Sequence, residues 1–109
     1  MDQQAQTLKE LQASIKAIDE QRSSKDITDS EREVLELTAV ALRDAERIAI
    51  ATIQKQLIKD MEAKTAALNA QARVIRAKVT KMNKTPKTIN AITSVIKTAV
   101  KIVTAIAKW

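Results

Sequence analysis

Asp29, Glu31, Glu33 and Glu36 are the residues best grouped for chemistry, four carboxylates crowded into two helical turns. General acid–base work by carboxylates needs two of them held across a cleft. These four instead open a helix, where negative charge matches the positive end of the backbone dipole. The chain has no histidine and no cysteine. That removes an ordinary zinc site, a thiolate nucleophile, an imidazole base and the Glu-x-x-His pairs of di-metal bundles. It also has no glycine, so dinucleotide fingerprints and phosphate-cradling loops are excluded. The expectation is a protein that is not an enzyme, with no cofactor and no metal.

The second group able to do chemistry is basic: Arg73, Arg76, Lys78, Lys81, Lys84 and Lys87. Phosphates would accept such groups with salt-sensitive affinity. Base stacking needs aromatic side chains, and Trp109 is the only one in the chain. Specific nucleic-acid recognition is therefore not expected. The basic run belongs to a wider asymmetry. Every acid lies at or before Glu62, and ten lysines and arginines follow it without a single acid. Such a split favours an acidic neighbour, whether part of another protein helix, a second copy or an anionic membrane.

These groups must be positioned by helices. The chain has 109 residues, one proline and a 45% apolar fraction dominated by helix-forming types. Leu8, Leu11, Ile15 and Ile18 make one narrow stripe, which predicts a first helix over about 3–22. Thr28 and Glu31 have the capping-box spacing, so a second helix is predicted to start there. No breaker follows before Asn83-Lys84-Thr85-Pro86, which predicts a long central helix over about 28–83. If continuous it would reach roughly 80 Å at about 1.5 Å per residue. Thr85 and Pro86 fit a helix start, which gives a third helix over about 86–108.

Two kinds of interface can be read on these helices. The first is a helix-packing seam of Ile58, Met61, Leu68, Ala72, Ile75, Val79 and Met82 at heptad spacing. A ridge of Ala41, Ala45 and Ala49 joins it, where another backbone can approach closely. Basic Arg76 and Lys78 flank the seam, so a parallel self-pairing would be repelled. An antiparallel or staggered neighbour could offer Glu31, Glu33, Glu36, Asp44 or Glu46 instead. The second is the cationic amphipathic third helix. Ile92, Val95, Ile96, Ala99, Val103 and Ile106 face one way, Lys97, Lys101 and Lys108 the other, and Trp109 ends it. A helix of this pattern can lie on anionic lipid or pack its apolar face into a bundle.

The architecture expected is all-α, one helical domain over 1–109, an extended bundle or hairpin with two shorter antiparallel helices flanking the long central one. The alternative is a four-helix bundle with a break near 64–69. In the flanked form the two shorter helices do not cover the centre of the long one, which leaves the alanine ridge open to another subunit. The function expected is that of a self-associating structural or protein-interaction component, with homo-oligomers or other protein helices as partners. The alternative is a membrane-active protein whose third helix binds or inserts into anionic lipid, including as a pore-forming oligomer. No basic segment followed by an apolar run opens the chain, so no Sec-type signal peptide is expected. That leaves the cytoplasm or a signal-less export route.

Overall fold

The computed structural model describes residues 3–25, 27–56, 59–82 and 89–109, without the side chains at 82 and 89–91. Four helices run in order: α1 (Gln3–Arg22), α2 (Asp29–Ile53), α3 (Met61–Met82) and α4 (Ile89–Ala107). They form an all-α four-helix bundle, with no strand among the described residues. The Thr85–Pro86 cap expected for the last helix, together with Ile58, Lys84 and Lys87, lies outside the described residues.

The second helix starts as its sequence dictates. The Thr28 hydroxyl accepts from the Glu31 amide at 3.1 Å, and the Glu31 carboxylate accepts from the Thr28 amide at 2.8 Å. This reciprocal cap satisfies two of the amides a helix start leaves unpaired, and such a cap contributes about 1 kcal/mol.

The single long central helix does not form. α2 ends at Ile53 and α3 starts at Met61, so the break falls ahead of the 64–69 stretch expected of the four-helix alternative. The break is a complete left-handed helix stop built without glycine. Lys55 takes φ 57°, the Lys55 amide donates to the Thr52 carbonyl at 3.1 Å and the Gln56 amide to the Ala51 carbonyl at 2.8 Å. Asp60 is left-handed as well, at φ 60°, and its carbonyl accepts from the Lys64 amide at 3.0 Å. Aspartate tolerates this region; lysine has no such help and loses about 1–2 kcal/mol there. Lys55→Gly is therefore expected to raise the melting temperature, with a gain of up to about 1 kcal/mol after the added freedom of the unfolded chain is deducted. Thermal unfolding followed by circular dichroism measures it.

The break turns the expected rod of roughly 80 Å into a body of 44 × 26 × 20 Å. Side-chain links give the directions. Arg43 reaches Asp19 at 3.1 Å, Lys78 reaches Glu33 at 2.6 Å, and Arg76 donates to the Thr104 hydroxyl at 2.7 Å. Gln12 also donates to Glu46 at 3.4 Å and Gln71 to Asp44 at 3.2 Å, so numbers rise on one helix as they fall on the other and α2 runs antiparallel to both α1 and α3. Each of α1 and α3 packs on both α2 and α4, α2 also touches α4, and α1 and α3 do not meet. In cross-section this is a rhombus with α2 and α4 on the short diagonal.

The core is aliphatic. Leu11 and Ile18 of α1, Leu35 and Leu42 of α2, Leu68 and Ile75 of α3, and Ile96 and Ile106 of α4 are fully buried. No aromatic ring fills it. The alanines Ala41, Ala45, Ala49, Ala72 and Ala99 are buried too, which lets backbones approach closely around the diagonal. Buried Thr38 satisfies its own hydroxyl by donating to the Val34 carbonyl at 2.7 Å.

Candidate interaction surface

The residues singled out in the sequence are largely consumed by this fold. Ala41, Ala45 and Ala49 are each fully buried in the single chain, so the ridge is closed by the chain's own helices and not left open to a subunit. Leu68, Ala72, Ile75 and Val79 join the same core, with Met61 half-buried at its edge. Ile58 and the Met82 side chain lie outside the described residues. On α4, Ile92, Ile96, Ala99, Val103 and Ile106 are buried and Val95 is half-buried, while Lys97, Lys101 and Lys108 are exposed. Trp109 stays at the surface. Among the described residues no helix is long and apolar enough to cross a membrane.

The carboxylate group disperses into separate tasks. Glu31 caps α2, and Glu33 accepts from Lys78. The Lys78 hydrogen bond, with its positive charge, holds the Glu33 carboxyl below the usual glutamate value. Antiparallel neighbours were expected to bring Glu33 to the basic run; the neighbour proves to be α2 of the same chain. Asp19 bridges Arg22 at 3.0 Å and Arg43 at 3.1 Å, both partly exposed and hence individually weak. Among the described residues no group of three or more acids could hold a metal ion.

Two shallow grooves mark the sides of α3. One of about 350 Å³ separates it from α4, lined by Arg76, Thr80, Lys97 and Lys101 over Val79, Ile96 and Val100. One of about 360 Å³ separates it from α2, lined by Ile48, Ala51, Ala67 and Leu68 among Asp44, Arg47, Lys64 and Gln71. In the second, Gln71 donates its amide to Asp44 at 3.2 Å, and its own carbonyl oxygen is buried without a partner.

Between the grooves lies the surface that sequence reasoning missed. Ala63, Ala66, Ala67, Ala70, Val74 and Ala77 are all exposed, and Val74 retains 47% of its accessibility. At 100° per residue these six fall within about 100° of the helix circumference, the arc opposite the core. Val40 of α2, 55% exposed, lies between Glu33 and Asp44, which reach Lys78 and Gln71 of α3. The helix in the equivalent corner of the rhombus gives the comparison. The exposed side of α1 carries Lys9, Glu10, Gln12, Lys16 and Glu20, with Ala5 and Ala13 among them. Two outer helices with the same burial requirement thus present opposite faces, one charged and one apolar. The signal in the sequence was a second set at three- and four-residue spacing, displaced from the heptad seam of the same segment. No family model matches the chain, and comparison with curated proteins and with solved structures gives no match either.

Proposed function

We propose that the chain is a non-enzymatic, self-associating helical component that works by burying the outer face of α3 against another helix. The observation that carries this reading is the apolar row from Ala63 to Ala77 on a corner helix, exposed where α1 is charged. Alanine gives little burial per residue, but it lets a second backbone come close, so contact is made along the whole row. Polar and basic groups beside the row, Lys64, Arg73 and Lys81, would form its rim.

The reading is tested by mass against concentration, using light scattering or sedimentation. A concentration-dependent oligomer is expected for the native chain. Val74→Glu is expected to weaken association at least tenfold and to leave helix content and melting temperature unchanged, because Val74 stands half out of the fold. A monomer at every concentration overturns the reading.

One observation favours a second reading, binding to anionic lipid. Lys97 and Lys101 line one groove with Arg76, and no acid follows Glu62 in the chain. Flotation with anionic vesicles that persists at high salt, together with a monomeric mass, would favour this reading over self-association.

A further inference from the structure

We infer that the groove between α3 and α4 holds one aliphatic chain with an anionic head, a free amphiphile of the fatty-carboxylate kind. This goes beyond the lipid reading above, because the ligand is a single molecule set between two helices and not the face of a bilayer. Three grooves of similar size treat their cations differently. Between α2 and α3 the lining is Asp44, Arg47 and Lys64 among apolar groups, a net +1, and Asp44 bridges Arg47 at 3.3 Å. Between α1 and α2 the lining also carries +1, with Asp19 bridging both Arg22 and Arg43. The α3–α4 groove carries +3, from Arg76, Lys97 and Lys101, with no acid in its lining. None of these three forms an ion pair among the described residues. Glu62, the last acid in the chain, lies roughly 21 Å along α3 from Arg76 at about 1.5 Å per residue.

The hydroxyls beside the groove add no donors. Thr80 gives its hydrogen to the Arg76 carbonyl at 3.0 Å, and Thr104 to the Val100 carbonyl at 2.8 Å. Arg76 donates to the Thr104 oxygen at 2.7 Å, and the rest of its guanidinium fork is open to an anion. Like charges set this close draw a counter-charge, and a carboxylate accepts from more than one of them. The chain follows from the floor. Val79, Ile96 and Val100 lie beneath the cations, and the aliphatic stems of the cations themselves form the walls. A small hydrated anion would leave that carbon facing water, whereas a hydrocarbon chain covers it. A flat bilayer reaches only the rim, because Val79 and Val100 are 5% exposed and Ile96 is fully buried below it. The volume of about 350 Å³ stands at the small end of the roughly 300–1,000 Å³ of small-molecule sites.

Octanoate below its micelle-forming concentration is the probe, with acetate for the head alone and octanol for the chain alone. Methyl NMR on the full chain gives the readout. Octanoate is expected to shift the Val79 and Val100 methyls saturably, with an affinity at least ten times that of acetate or octanol. The methyls of Ile48 and Leu68, in the α2–α3 groove, should stay unmoved. Lys97→Gln combined with Lys101→Gln should weaken octanoate at least tenfold and leave the melting temperature unchanged, since both side chains stand in solvent. Octanoate no tighter than acetate, equal binding by the double variant, or equal shifts in both grooves would each overturn the inference. Flotation of the native chain with anionic vesicles alongside any of those results leaves the lipid reading standing. Octanoate binding without flotation upholds the groove and removes the bilayer.

Discussion

Ile96→Ala is expected to lower the stability of the bundle by about 3 kcal/mol, within the range of about 2–5 kcal/mol found when a buried isoleucine is truncated. Ile96 is fully buried on α4, and α4 is packed by all three other helices. The space left by the lost carbons is therefore walled on several sides and can collapse only in part. A chain of this size has a total stability of about 5–15 kcal/mol, so the loss is a large share of it. Urea unfolding should show a lower midpoint with an unchanged slope. Lys97→Ala, one position along on the exposed side, should change stability by less than about 0.5 kcal/mol. Equal effects at 96 and 97 would mean that α4 is not packed as described.

The second large effect separates two alanine rows that look alike in the sequence. Ala45 is fully buried on α2, whereas Ala70 is exposed on α3. Leucine at 45 must push helices apart, and overpacking of this kind costs about 1–3 kcal/mol. Leucine at 70 enters solvent, so the fold should hold within about 0.5 kcal/mol. Thermal melts of Ala45→Leu and Ala70→Leu at low protein concentration give the comparison. If Ala45→Leu melts like the native chain, the close packing of α2 is wrong.

The helical class, the capped start of α2 and the bounds of α1 were legible because each has a strong local cause. The narrow stripe Leu8, Leu11, Ile15 and Ile18 and the Thr28–Glu31 pair depend on nothing distant. The apolar faces of α3 and α4 were legible as faces, and both lie in the core. The break at Gln54–Asp60 was hidden because its left-handed residues are Lys55 and Asp60, and the usual glycine is missing. On a continuous rod the alanine ridge has too few neighbours to be closed within one chain, so it reads as a contact for another subunit. The outer row of α3 was hidden by alanine itself. Alanine is the best helix former as well as a small apolar side chain, so its spacing on a surface reads as propensity until burial shows which side faces the core.

The rhombic section also sets the order in which this molecule can be made. The α1–α2 hairpin closes through contacts near in sequence and can form early. The inner diagonal cannot close before α4, which follows the three other helices in the chain. A nascent chain ending after α3 would carry an open aliphatic trough along α2, the place α4 later fills. Until α4 leaves the ribosome, that trough is the stretch most in need of shelter by a chaperone.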